Sequence, residues 1–437
     1  MTTTVVAILA AGFAPMRLSA QSDPVVVADG VELGLLYGAP VLRNVVVRGF
    51  VDARGAQGEA SWVEAIIYRD LDLSDRFAVR PSPAERPGIT PDYGTWEALG
   101  ADFVVDGTVT LLPAGLELRL TVHDVVYRNL LQEAVFALPP ASSPSFRMAV
   151  HAASDQIVEW ITSEPGMAAS RVVFPRARQD GGYDIVVVDS DGEGERLLAR
   201  HERLAFSPTW SPDGRAIAYT AMTPSGTYDV LTVDVAGGGE RNVTPRSGLV
   251  MTPAWSPDGS ALALAISAGS REDLHEYDPT SGRFELIARN AIEPSYAPDG
   301  QRFVFSSDRL GTSQIWTVRR AGGSPTLLSP WASQDRNSYH APDWSPDGKM
   351  VAFHGGRSLR YQIMVADPDG GRTPRQITWE GWSEAPSWAP DARHLVVHGS
   401  REGREGLHVI DSATGRTRLL VEGSAVRTPD WSPGPAR

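Results

Sequence analysis

Cysteine is absent from the 437-residue chain. That excludes a disulfide framework, a Cys-ligated metal and a thiol nucleophile, and it suits either the cytoplasm or an oxidising space. A surplus of basic charge is absent as well: 40 Lys and Arg stand against 53 Asp and Glu, a formal net charge of −13. No run of five or more like charges occurs. A nucleic-acid surface needs clustered positive charge, so that class is set aside. No stretch is long and apolar enough for a membrane helix; the run from Val5 to Ala14 is too short to span a bilayer. Nor is there a Gly-x-Ser-x-Gly nucleophile elbow, which a propeller-capped peptidase would carry on a separate hydrolase domain.

What is present is a repeat. Ser207-Pro208-Thr209-Trp210-Ser211-Pro212-Asp213-Gly214 returns five more times, around Trp255, Tyr296, Trp344, Trp388 and Trp431. Every copy keeps an aromatic with proline two residues before and two residues after it. The aromatic-to-aromatic steps are 45, 41, 48, 44 and 43 residues. Such a period means one supersecondary unit repeated. After each anchor come short alternating segments, for example Phe303-Val304-Phe305, then Gln314 to Val318, then Thr326-Leu327-Leu328. Four short strands per repeat predict the blade of a β-propeller. The propeller begins at Arg171 with three strands and no anchor, and it ends on an anchor with nothing behind it. The last strand must then complete the first sheet, giving six blades and no exposed edge. In each turn, proline fixes φ, Asp bonds the backbone and Gly accepts positive φ. Ala392 replaces that Gly, so a different turn is expected in the Trp388 blade. The aromatic is expected to fill the wedge between blades.

Ahead of the propeller the pattern is mixed α/β. Val41 to Val51 and Ser74 to Val79 read as strands, Ser61 to Asp70 and Asp92 to Leu99 as helices. Phe103-Val104-Val105 and Thr108 to Leu112 read as two strands, followed by Leu116 to Val126, where Leu116, Leu118, Leu120 and Val122 face one way. Leu130 to Leu138 is its hairpin partner. Phe146, Ala149, Val150, Ala153, Ile157 and Ile161 mark one face of a long helix with Ser145 as its N-cap. The N-terminal apolar run and Leu18-Ser19-Ala20 before Gln21 predict a cleaved secretory segment. The resulting organisation is a signal peptide over 1–21, an extended arm over 22–33, an α/β domain over 34–165 and the propeller over 166–437.

The Trp-Ser-Pro-Asp-Gly repeats resemble those of the TolB family. So do Arg69-Asp70-Leu71 with Leu73-Ser74 and Arg76-Phe77, Leu99-Gly100-Ala101-Asp102 with Val104-Val105-Asp106-Gly107, and Thr162-Ser163-Glu164-Pro165-Gly166 with Arg171-Val172-Val173-Phe174. Pro429-Asp430-Trp431-Ser432-Pro433 resembles the family's closing strand. Together these stretches cover almost the whole mature chain. The resemblance implies a periplasmic, non-enzymatic adaptor of the Tol–Pal envelope system that supports outer-membrane integrity and cell division. It implies a monomer, peripheral to the outer membrane through the lipoprotein Pal, with TolA as second partner and no cofactor or metal. It places Pal contacts in the loop just before each anchor: Phe206 and Ser207, Met251 and Thr252, Ile292 and Glu293, His340 and Ala341, Glu384 and Ala385, Arg427 and Thr428. The TolA-binding arm would include Ser22, Asp23, Pro24, Val25, Val26 and Val27. The alternatives are a propeller hydrolase or lyase with a metal or sugar in its channel, and a TolB-like scaffold outside that system.

Other motifs have plainer readings. Asp189-x-Asp191-Gly192-x-Gly194 and Asp367-Pro368-Asp369-Gly370 hint at calcium loops but lack the glutamate twelve residues on. Both fall between the third and fourth strands of a blade, where Asp-Gly is hairpin chemistry. Gly237-Gly238-Gly239 lacks the following helix that phosphate cradling needs. The nine histidines, among them His151, His275, His398 and His408, are read as packing or surface residues.

Overall fold

The structure, a computed structural model, describes residues 42–434 apart from 54, 57, 83–91, 245–248, 270, 331–335 and 358–359, together with the strands Val26–Val27 and Val31–Glu32. The expected secretory segment lies outside the described residues. The chain divides into two compact units, 1–41 and 42–437. In the first, Val26–Val27 pairs antiparallel with Val31–Glu32. Ser22, Asp23, Pro24 and Val25 of the expected arm lie outside the described residues.

The second unit opens with a mixed sheet. Arg43–Val47 sits between the parallel strands Phe77–Pro81 and Phe103–Leu112, and Gly115–Asp124 and Asn129–Leu138 extend the sheet antiparallel. The two strands expected over 103–112 are one. Gly107 does not interrupt it: a Cβ there would come within 2.3 Å of the Phe50 ring, so this glycine serves close packing. Leu116, Leu118, Leu120 and Val122 all turn inward, as their alternation requires. Helices α1 (Glu59–Leu73) and α3 (Phe146–Thr162) bury Val63, Ile67, Val150 and Ile157 against them; the short α2 is Tyr93–Ala98. Ser145 occupies the N-cap position of α3, but its side chain makes no cap bond; its hydroxyl meets Ser143 Oγ at 2.9 Å instead.

The propeller has six four-stranded sheets. Blade 1 contains Arg171–Ala177, Tyr183–Asp189 and Arg196–His201, completed by Asp430–Trp431 from the C-terminal end. Blades 2 to 6 begin with the innermost strands Ala205–Trp210, Val250–Trp255, Ile292–Tyr296, Ser338–Trp344 and Trp382–Trp388. The anchors fill the wedges: Trp210 packs on Val173 and Val187 of blade 1, Trp344 on Val304 and Ile315 of blade 4, and Trp388 on Ala352 and Ile363 of blade 5.

The turn after Trp388 departs from expectation. Ala392 takes φ +53°, the conformation that Gly214 takes at +67°, and Ala392 N–H donates to Ala389 O at 3.0 Å, as Gly214 N–H does to Ser211 O at 2.9 Å. The turn is therefore the same, with an alanine in the left-handed region. Asp391 holds it, accepting from the backbone of Arg393 and His394 and facing the His394 imidazole at 2.7 Å.

Candidate functional site

The innermost strand of each blade has two ends, and the α/β domain takes one of them. Arg393, next to the turn after Trp388, donates to Asp75 O of the α/β domain at 2.9 Å, and Arg76 lies 3.6 Å from Asp391. The domain thus docks on the propeller face that carries the post-anchor turns. The pre-anchor residues sit at the opposite end of the same strands. A cavity of about 880 Å³ runs between the ends, lined by the six Pro-x-aromatic segments, the post-anchor prolines, and Asp155, Gln156 and Glu159 of α3.

The pre-anchor residues, expected in loops, lie in strands in five of the six repeats. In blades 2 to 6 each pair lies inside the innermost strand. Only Arg427 and Thr428 precede their strand, Asp430–Trp431. The ladder slips at this point in all five blades; Phe206 pairs with Thr220 and Thr209 with Ala218, so two residues stand opposite Tyr219. That is a β-bulge. Its first residue is in the left-handed region in all six repeats: Ser207 +47°, Thr252 +48°, Glu293 +52°, Ala341 +46°, Ala385 +50° and Thr428 +31°. None is glycine, and such a conformation costs an L residue about 1–2 kcal/mol. The sequence carried a signal for it. Proline has no N–H to give a ladder, so a proline inside a strand demands a bulge.

Side chains secure the bulges. Thr252 N–H donates to Thr220 Oγ1 at 3.1 Å, Ala341 N–H to Glu293 Oε2 at 2.8 Å, and Ala385 N–H to His354 Nδ1 at 3.1 Å. Glu293 also accepts from Ser306 Oγ at 2.7 Å, so its carboxylate ties blade 4 to blade 5. His354 accepts through Nδ1, and burial pushes its pKa down to about 4. A hydrogen bond with His398 (Nδ1 to Oε1, 3.0 Å) holds the Glu384 carboxyl below its usual range. Phe206, Met251, Ile292, His340 and Glu384 are half-buried at this mouth, and Arg427 is exposed. Three blades therefore offer apolar side chains and three offer polar ones.

Deeper in the channel, a belt of bonds links the anchors. Asp430 accepts from Trp210 N–H at 2.7 Å and from Ser387 Oγ at 3.1 Å; Asp343 accepts from Trp388 N–H at 2.8 Å and Ser295 Oγ at 3.1 Å. Burial raises the Asp343 carboxyl to about 6. Burial together with the Asp343 charge raises Asp430 to about 7. Sequence reasoning did not single these two out. Their place between proline and tryptophan, where other repeats carry Thr, Ala or Ser, was the available signal.

Among the described residues, two buried groups could by composition hold a metal: Asp70, His151 and Asp191, and Asp75, His394 and Asp411. Both are already met by arginine. Arg147 donates to Asp191 at 2.6 Å, Arg393 to Asp411 at 2.7 Å, and Arg416 lies 2.6 Å from Asp75. They are ion-pair clusters at the junction of the two domains. His394 and His398 stand four residues apart on one strand. At a rise of about 3.3 Å per residue that spacing keeps them roughly 13 Å from each other, too far for a shared ligand. Asp189 to Gly194 and Asp367 to Gly370 are hairpin connections between third and fourth strands, as read from sequence.

A family described as the TolB beta propeller domain matches residues 158–434, and one described as the TolB amino-terminal domain matches 41–131. A protein named Tol-Pal system protein TolB from Anaeromyxobacter dehalogenans is 30% identical over 325 residues, 71% of this chain and 61% of that protein. One of the same name from Bordetella avium is 32% identical over 161 residues, 36% of this chain and 35% of its own length. The matched regions thus span about a third to three fifths of these relatives. A crystal structure of TolB from Acinetobacter baumannii superposes with a TM-score of 0.78 at 24% identity, covering 90% of this chain and 97% of the other, which speaks to the fold. With its propeller and its amino-terminal domain both matched, the chain belongs to the TolB family.

Proposed function

We propose that this chain is a non-enzymatic periplasmic adaptor of the Tol–Pal envelope system. It binds Pal through the propeller face that carries the pre-anchor residues and TolA through its N-terminal arm. The observation that carries this reading is the asymmetry of the propeller. Six repeats bring Phe206, Met251, Ile292, His340, Glu384 and Arg427 to the face opposite the α/β domain, on a bulge of one shape. A rigid ring with an apolar arc beside a charged arc suits a folded protein partner, since interfaces combine an apolar core with a polar rim. Relatives named for the Tol–Pal system support the assignment to that system.

Calorimetric titration of the mature chain with the soluble domain of the same organism's Pal tests it. Saturable one-to-one binding is the expected result. A folded chain that leaves a competent Pal domain unbound refutes the reading. The arm is tested separately: deletion of residues 22–33 should abolish binding of TolA while Pal binding persists.

A further inference from the structure

The two domains meet through charges. The apolar core of the α/β domain, from Val45 to Ile161, and those of the propeller, beginning at Met167, are separate clusters, and none among the described residues spans the junction. At the centre of that junction His394 is fully buried. Its Nδ1 faces Asp391 Oδ2 at 2.7 Å on the propeller side, and its Nε2 faces Asp75 Oδ2 at 3.3 Å on the α/β side. Carboxylates only accept hydrogen bonds, and a neutral imidazole has one N–H. Meeting both carboxylates therefore requires a proton on each nitrogen.

Charged groups from every element packed here surround the imidazole. The β-strand His394–Arg401 and its partner Arg404–Asp411 bring Arg393 and Asp411, which bond each other at 2.7 Å. The turn beyond brings Arg416, at 2.6 Å from Asp75 Oδ1. The segment after α1 brings Asp75 and Arg76, and Arg76 bonds Glu164 behind α3. The strand Thr417–Glu422 adds Arg418, which donates to Ser190 O at 3.1 Å and whose charge acts on Asp75 and Arg416.

We propose that His394 is a proton-dependent clasp between the propeller and the α/β domain: protonated, it bridges Asp391 to Asp75 and holds the domains docked; deprotonated, it drops one of the two bonds and loosens the junction. Burial alone would lower the His394 pKa, but the carboxylates of Asp391 and Asp75 more than reverse it, so the value is raised. Burial likewise pushes Asp391 up, and His394 outweighs that, leaving its pKa at about 2. A raised histidine stabilises docking fully below its undocked pKa, and the contribution is lost as pH rises through the docked value. The second junction histidine, His151, bonds Asp70 through Nδ1 at 2.8 Å within the α/β domain, and its Nε2 has no partner. It makes no bond across the junction and does not clasp it.

The absence of cysteine makes the test clean. Spin labels on cysteines placed at exposed Gln132 and Thr326 report the inter-domain distance in the full chain. From about pH 6 to pH 9, across and above the ordinary histidine range, the distance distribution should broaden in the parent. In His394→Gln, which cannot be charged, it should already be broad at the lower pH and change little. A parent distribution that stays unchanged over that range, with the fold intact by circular dichroism, overturns the proposal. So does a His394→Gln protein that keeps the parent's full pH response. Should His394→Gln fail to fold, the parent titration decides alone, with His151→Gln as the variant that must retain the response.

Discussion

The two ends of one repeated strand have opposite chemistry. At the pre-anchor end the backbone bulges, six non-glycine residues sit in the left-handed region, and the side chains at the mouth are half-exposed. At the post-anchor end the Ser-Pro-Asp-Gly turn closes on itself: Ser211 Oγ meets Asp213 Oδ1 at 2.6 Å and accepts from Ala216 N–H at 2.9 Å. There the propeller receives the α/β domain through buried ion pairs. The comparison teaches that a repeat conserves shape at both ends but is free to vary chemistry where its side chains do not hold the blade together. At the open end the proline and the bulge set the backbone, and the residue before them is Phe, Met, Ile, His, Glu or Arg. At the docked end a single departure, Asp391-Ala392-Arg393-His394, becomes part of the inter-domain contact.

The largest effect that would test this division is loss of an anchor. Trp388→Ala removes a buried indole whose Nε1 donates to Asp343 O at 3.2 Å. It should cost about 3–5 kcal/mol by denaturant unfolding. Both ends of the strand should suffer, because the anchor lies between them. A loss confined to Pal binding, with stability unchanged, would show that the ends are not coupled through the wedge.

The channel belt should give the next effect. Asp343 and Asp430 have pKa values raised by burial, to about 6 and about 7. Folded values above unfolded ones mean stability present in full below the unfolded pKa, near 3.8, and lost as pH rises through the folded values. Asp155 on α3, raised by burial to about 7, has the same sign. The thermal midpoint should therefore fall between about pH 4 and pH 7 and flatten above. Asp430→Asn should remove part of that slope, and an unchanged slope would locate the pH dependence outside the belt.

The open end is tested by binding. Met251→Asp places a charge in the apolar arc at a half-buried position, and it should weaken Pal binding at least tenfold, about 1.4 kcal/mol, with little change in midpoint. Glu293→Arg is a poorer probe of that face. It also breaks the bond from Ala341 N–H and the contact with Ser306, so a loss of binding could follow from a loosened blade. The smallest effect belongs to the docked end. Ala392→Gly relieves a left-handed alanine and should stabilise the chain by about 1 kcal/mol. A destabilised variant would mean that the methyl group contributes packing that outweighs the strain.

Much of this fold is legible in the chain. Period, turn chemistry and the unmatched strands at each end led to six blades and their closure, because these are local signals repeated six times. The helix α3 and the inward face of Gly115–Asp124 followed from periodicity. The candidate face was legible only in part: proline before the anchor marks its position, yet the residues were assigned to loops, since nothing in a single strand's pattern reveals which of its residues a neighbour leaves unpaired. Of the arm expected over 22–33, the structure describes only the strand Val26–Val27 and its partner Val31–Glu32.

Local pattern suffices for the repeat, the blade count and the position of the turns, because each rests on residues close in the chain or on near-copies of one motif. Long-range packing sets which end of the innermost strands stays open, brings Asp343 and Asp430 into one channel, and lets His394 meet Asp75 across 319 residues of chain. Those are contacts between segments with no common pattern, and their chemistry arises from burial and neighbouring charge, which no local stretch of residues encodes.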